Sequence, residues 1–348
     1  MVFKHKIESA GSPGGFRLAG GSARYAANLP GKRPGARRRT RSGALARRRG
    51  GYRLAGRDGR PDGRMMITLT TADGTDVRAF DEGHGPVILV VHPGFDDGKS
   101  WGKVAARLSG RFRVVRIVRR QYRLDRPAPV PYSIAREAGD VLALAADIGE
   151  PMVIVGHSSG GVVALEALAA APAAVFAGAV LFEPPVAIGP PPGGEAPGAE
   201  GHGGEAAGGQ MPGGEPIDRA RAAVAAGQPG KAMQIFVRDV VGVPAPYAWA
   251  LRPLVAVSPR LRALAPRQIS DLDGVGPRLD VYARIETPTV LLGGERSPAH
   301  LGERLDALAA VMPHAEKVVL ARRDHSAHLR APDEVAHVIE TLADRVLP

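Results

Sequence analysis

From residue 67 onward the 348-residue sequence predicts an α/β protein, a mostly parallel β-sheet covered by helices on both faces. Three observations predict it. Short runs that are apolar throughout, such as VILVV at 87–91 and MVIV at 152–155, lack the alternation of a half-exposed sheet and suit strands buried on both faces. Longer segments of helical period stand between them. The chain, 44% hydrophobic, is also long enough to bury a large core.

Residues 1–64 stand outside this pattern. They hold 14 Arg and 3 Lys against Glu8, Asp58 and Asp62, a net of +14, which leaves −3 for the rest of a chain whose total is +11. A mildly acidic body thus carries a basic segment, and the body offers no electrostatic case for nucleic acid. With its Arg, Gly, Ala and Pro and no apolar period, the segment is expected to be disordered. It reads either as a natural basic tail or as translation begun upstream of an initiator at Met65 or Met66, and its composition favours the second. It has no apolar h-region, so no secretory signal is read and the cytoplasm is the expected compartment. Cysteine is absent, which excludes disulfides, a thiol nucleophile and thiolate metal sites.

The alternating pattern itself begins with ITLTTADGTDVRAF, where Asp73 and Gly74 separate two strands as a hairpin turn would. A strand at 87–91 follows, then a helix at 100–108 and a strand at 112–118. Residues 132–148 form an amphipathic helix, with Ile134, Ala138, Val141, Leu142, Ala145 and Ile148 on one face and Ser133 placed to cap it. Residues 161–182 imitate a membrane span, but Glu166 and Pro172 divide them into a helix and a strand. Residues 189–216, rich in Gly, Pro, Ala and Glu, read as a flexible insert. Residues 217–285 are helical without strands, which suits a lid over the carboxyl ends of the strands, where such sheets bind ligands. Alternation resumes with a strand at 289–292, a helix striped by Leu301, Leu305, Leu308 and Met312, a strand at 317–320 and a last helix carrying Val335, Val338, Ile339 and Leu342.

Chemistry concentrates at GHSSG, residues 156–160, because a strand (MVIV) runs into it and a helix (GVVALEAL) leaves it. A turn that sharp brings backbone into close contact, so glycine fits at 156 and 160 and the Ser158 hydroxyl is held above the sheet. The helix N-terminus behind it favours negative charge developing in acyl transfer. A serine hydroxyl needs a base to take its proton. His325 qualifies, since the short loop ARRDHSAHL follows the last strand; His328 is its neighbour and rival. No HExxH helix or other ligand cluster argues for metal.

With GHSSGG, the HPGF loop after VILVV and a histidine after the final strand in this order, the chain from residue 67 to its end resembles the α/β-hydrolase fold family, apart from the basic segment and the insert. The resemblance implies Ser158 as nucleophile and, from RDHSAHLRAP, His325 over His328 as base. It implies an oxyanion hole made by the backbone N–H groups of Ser159 and Phe95. It also exposes a departure: the family's usual acid position, in TVLLGGERSP, holds Ser297. Two carboxylates could substitute, Glu295 in the same loop and Glu183 at the end of the strand AVLFEPP. Glu183 is preferred, since an acid that ends an apolar strand before Pro184 and Pro185 points at the site, and some family members take their acid from this strand. Asp324 adjoins His325 on an extended segment, where neighbouring side chains point apart.

His92, Asp96 and Asp97 read as loop-ordering groups, and Trp101 and Trp249 as core residues. The expected function is hydrolysis of a small, fairly apolar carboxylic ester or related acyl compound, with no cofactor, a small-molecule substrate as partner, and neither nucleic acid nor membrane. A Ser nucleophile argues against dehalogenase and epoxide hydrolase chemistry, which this family runs on Asp. The alternative is a ligand-binding protein on the same fold without turnover, which the serine at 297 would suit.

Overall fold

Helices and strands alternate because apolar runs with two buried faces need cover on both sides, and each parallel strand needs a crossover to its neighbour. The computed structural model describes residues 53–59, 65–71, 73–129, 131–188, 214–271, 273 and 278–348. Its strands are β1 (Arg53–Gly59), β2 (Met65–Thr70), β3 (Asp76–Glu82), β4 (Val87–Val91), β5 (Arg113–Val118), β6 (Met152–His157), β7 (Phe176–Phe182), β8 (Thr289–Gly294) and β9 (Ala315–Leu320). Among the described residues they form one sheet in the order β1-β2-β3-β5-β4-β6-β7-β8-β9. β1, β2, β3 and β5 pair antiparallel in turn, and from β5 through β4 to β9 every pairing is parallel.

The hairpin about Asp73 and Gly74 forms as its turn chemistry predicts: Asp73 accepts from the Thr71 hydroxyl and the Thr75 amide, and Gly74 takes φ +76°. β1 lies within the basic segment expected to be disordered. Its pairing with β2 is a backbone matter that needs no apolar period of its own, so composition left no sign of it. Residues 1–52 and 60–64, most of the basic segment, lie outside the described residues, as do 189–213 of the insert.

Helices α1 (Gly102–Leu108), α2 (Ile134–Ile148) and α3 (Ser159–Ala170) connect β4 to β5, β5 to β6 and β6 to β7. α2 starts where the Ser133 hydroxyl accepts from the Arg136 amide and stops at Gly149, which adopts the left-handed conformation. Helices α4 (Gly214–Ala225), α5 (Pro229–Ile235), α6 (Ala245–Val257) and α7 (Pro259–Ser270) form the inserted layer, followed by α8 (Leu279–Tyr282). α9 (Ala299–Val311) joins β8 to β9, and α10 (Ala327–Arg330) and α11 (Pro332–Val346) close the chain.

Two cores result. On one face Leu89, Ile154 and Leu181 pack under α2, α3, α8 and α9 through Val141, Leu165, Tyr282 and Leu305. On the other, Val90, Val155 and Val180 pack under α1 and α11 through Leu108, Val335 and Ile339. The inserted layer seats its own buried residues, Met233, Val255 and Ala265, against Phe95 in the loop after β4, so it covers the carboxyl edge of the sheet. Among the described residues no helix is long and apolar enough to cross a membrane.

Candidate active site

Between the end of β6 and the start of α3, Ser158 takes φ +53° and ψ −129°, a backbone state that L-residues rarely adopt. The neighbouring sequence is shaped to permit it. A Cβ on Gly156 would lie 2.6 Å from the Ala164 Cβ, and one on Gly160 would lie 2.2 Å from the His92 carbonyl oxygen. Only hydrogen fits at either place. The Ser158 amide donates to the Phe182 carbonyl at 2.9 Å, which pins the turn to the neighbouring strand, and the hydroxyl caps no backbone group.

Glu183 directly follows β7, the next strand. It too has positive φ, +45°, and is 1% exposed. Its amide donates to the Leu292 carbonyl at 3.0 Å; its Oε1 accepts from the Gly294 amide at 2.7 Å. Oε2 lies 2.6 Å from Nδ1 of His325, in the loop after β9. The structure therefore brings together the preferred acid and base, residues 142 apart in sequence. The competing carboxylates are turned elsewhere. Glu295 accepts from the Arg322 amide at 2.6 Å, and Asp324 from the Ser326 amide at 2.8 Å. The Ser297 hydroxyl is buried without a partner among the described residues.

His328 is buried away from this pair, its ring stacked on Trp101 with centroids 5.5 Å apart and edge-on to His157 at 4.5 Å. Burial drives its pKa down to about 4, with His325 adding to the effect, so it is a neutral wall residue near neutrality. His157 is stacked on Phe182 at 4.5 Å and faces the His325 ring at 4.7 Å; burial pushes its pKa well down also. Trp101 is accordingly a buried residue, as expected, packed against His157 and His328.

The amide of Ser159, first residue of α3, has no intrahelical acceptor. Phe95 lies in the loop after β4 at φ +57°. Its loop is held tight against the start of α3, since the His92 and Val91 carbonyls are what a Cβ at Gly160 would strike. His92, kept neutral by burial, sits 2.7 Å by Nδ1 from the Pro93 carbonyl and accepts from the Arg119 amide at Nε2, 3.1 Å. Those partners assign its proton to Nδ1. Asp96 accepts from the Ser100 hydroxyl at 2.7 Å, and Asp97 pairs with Lys99 and with Arg260 of α7. All three order the loop.

A buried ionic cluster beside the site was not anticipated. Arg119, after β5, donates to the Ser159 hydroxyl at 2.8 Å, to Glu137 of α2 at 3.0 Å and to Asp271, which follows α7, at 2.6 Å. Tyr122 donates to Asp271 at 2.6 Å and Tyr132 to Glu137 at 3.0 Å. Burial alone would lower the Arg119 pKa, but Asp271 and Glu137 outweigh it and hold the guanidinium charged; Arg119 in turn keeps Asp271 ionised against its own burial. One signal lay in the sequence: Glu137 stands on the apolar face of α2, one turn from both Ile134 and Val141. Its partners, remote in sequence, left none.

The alpha/beta hydrolase family model matches residues 88–338. Among solved structures, an alpha/beta hydrolase from Sphaerobacter thermophilus is similar at 25% identity and a TM-score of 0.62, covering 79% of this chain and 99% of that one. A thermophilic esterase from Thermogutta terrifontis superimposes with a TM-score of 0.60 at 20% identity, covering 82% and 99%. An esterase from Rhodococcus sp. gives 0.60 at 19% identity, covering 81% and 99%. The last two likenesses speak to fold alone. With its parallel sheet, its strand–serine–helix turn and a family model spanning most of its length, the chain belongs to the alpha/beta hydrolase family.

Proposed function

We propose that the protein is a serine hydrolase acting on a small, fairly apolar carboxylic ester or related acyl compound through a Ser158-His325-Glu183 triad. The observation that carries this reading is the Glu183 Oε2 to His325 Nδ1 contact of 2.6 Å at the strand edge next to the Ser158 turn. In the reaction, Ser158 Oγ attacks the acyl carbonyl carbon while His325 Nε2 takes its proton. Glu183 accepts the hydrogen bond from Nδ1–H and stabilises the imidazolium. The amides of Ser159 and Phe95 hold the negative oxygen of the tetrahedral intermediate. His325 then protonates the leaving alkoxide, giving an acyl-Ser158, and returns as base for the water that hydrolyses it.

The partly buried apolar side chains of Phe95, Phe236, Val237, Leu251 and Leu261, grouped where the inserted layer meets the loop after β4, support an apolar acyl moiety. Similarity of fold to two esterases agrees with the ester class. The proposed partner is a small-molecule substrate and the proposed compartment the cytoplasm. A fluorophosphonate probe, with a panel of p-nitrophenyl esters and lactones, tests the reading: Ser158 is labelled and a subset of esters is turned over, both lost in Ser158→Ala. Absence of labelling and turnover in the wild-type chain would support the ligand-binding alternative instead.

A further inference from the structure

A surface helix ordinarily turns a polar face to water, and α6, APYAWALRPLVAV, does not. Arg252 is its only charged side chain, and Tyr247 and Trp249 add the only other polar atoms. Ala248 and Val255 face inward. Outward stand Tyr247, Trp249, Leu254 and Val257, 69%, 54%, 53% and 75% exposed, on a surface otherwise made of Ala, Pro and Arg252. Trp249 therefore departs from its expected place in the core: the inward side of α6 is already filled by small residues packed on α5 and α7. Scattered apolar residues on a surface need no explanation, but a whole helix face does.

Charge along one flank of this face has one sign. Residues 240–270 contain no Asp or Glu. Beside α6 a groove of about 760 Å³ is lined by Lys231, Arg252 and Arg262 together with Ala256, Pro259 and Gln228, and by no carboxylate. All three cations are exposed. Arg260, the fourth nearby, is already paired with Asp97 at 3.0 Å.

We propose that the outer face of the inserted layer docks on an anionic lipid bilayer, with Tyr247, Trp249, Leu254 and Val257 entering the headgroup–acyl boundary and Lys231, Arg252 and Arg262 engaging lipid phosphates. Aromatic rings at the water boundary, aliphatic side chains beyond them and flanking cations are the chemistry such an interface selects. A second copy of the chain suits the face less well. A two-fold interface sets the same patch against itself, which would confront the three cations with their counterparts. The lack of a spanning helix among the described residues concerns crossing a bilayer, not lying on one. The inference stands apart from the catalytic reading, and Ser158→Ala is expected to bind lipid like the wild type.

The test uses the full chain with phosphatidylglycerol–phosphatidylcholine vesicles and with phosphatidylcholine vesicles, reading co-sedimentation and the emission of Trp249. Trp101 is buried, so subtracting the spectrum of Trp249→Phe isolates the exposed indole. The Trp249 emission is expected to shift to the blue with phosphatidylglycerol vesicles, and binding to weaken roughly fivefold for each of Lys231→Gln, Arg252→Gln and Arg262→Gln. Tyr247→Ser with Leu254→Ser is expected to remove the blue shift. Because residues 1–64 carry +14, sedimentation without a Trp249 shift would mean capture by that segment and would overturn the proposal. A blue-shifted Trp249 in lipid-free protein would overturn it too, assigning the face to a second copy if the protein is a dimer by light scattering, or to another part of the chain if it is a monomer.

Discussion

The carboxylate of Glu183 and the imidazole of His325 meet at 2.6 Å, although the first follows β7 and the second follows β9, with β8 lying between the two strands. Gly294, at the end of β8, closes the gap from below by donating its amide to the other Glu183 oxygen at 2.7 Å. A Cβ on Gly293 would come within 3.6 Å of that same oxygen. Each carboxylate oxygen thus has a partner, one a backbone amide and the other a ring nitrogen. That arrangement makes the acid assignment testable against the alternative in the same loop. Glu183→Gln keeps the shape and removes the charge that stabilises the imidazolium, so kcat for a p-nitrophenyl ester is expected to fall roughly a thousandfold to ten-thousandfold. Glu295→Gln, whose amide oxygen can still accept from the Arg322 amide, is expected to stay within about threefold. Equal losses in both variants would refute the assignment.

Backbone strain at Ser158 leads to a prediction of opposite sign for stability and activity. At φ +53° and ψ −129° any side chain is penalised, by about 1–3 kcal/mol, and glycine is not. Ser158→Gly is expected to match or exceed the wild type in a urea melt while losing hydrolysis. Ser158→Ala, which keeps a Cβ, loses hydrolysis without that relief. A Ser158→Gly protein less stable than Ser158→Ala would show that the turn carries no strain.

Arg119 is the group whose loss should cost most outside the proposed triad. Arg119→Met leaves Glu137 and Asp271 facing each other in a site where both are at most 2% exposed, and breaking such a pair costs about 3–5 kcal/mol. The same variant frees the Ser159 hydroxyl, so kcat is expected to drop as well. Arg107→Met, which breaks the exposed and solvent-screened pair with Asp333, is expected to leave the denaturant midpoint unchanged. Equal midpoints for the two variants in denaturant would count against the buried cluster as a stabilising unit.

His328 predicts an acid limb. Its folded-state pKa of about 4 lies below the unfolded value of 6.5, so the folded chain refuses a proton that the unfolded chain accepts. The stability this implies is complete above pH 6.5 and is lost as pH falls toward 4, to a total on the order of 3 kcal/mol. His328→Asn is expected to flatten that part of the stability profile, measured by urea unfolding from pH 7 to pH 4. A profile of unchanged slope would exclude His328 as its source, leaving the more deeply buried His157 and His92.

Much of this architecture is legible in single segments. The apolar runs at β4, β6, β7 and β8, the capped period of α2 and the turn at Asp73 and Gly74 announce themselves, since burial and backbone sterics act within a few residues. The same is true of Ser158, whose glycine neighbours are demanded by contacts inside its own strand-to-helix turn. Glu183 was readable as a strand-ending acid, but its preference over Glu295 leaned on family likeness.

By itself, then, the sequence determined the alternation of strands and helices, the strand–Ser158–helix turn and the position of His325 after the last strand, because each follows from local sterics or a local hydrophobic period. Only the tertiary structure decided which carboxylate meets His325, that Arg119 joins Ser159 to Glu137 and Asp271, that β1 extends the sheet, and that Trp249 faces outward. Those outcomes depend on sheet order and on which faces neighbouring helices occupy. Charges and hydrogen-bond partners act over a few ångströms of space whatever their separation along the chain.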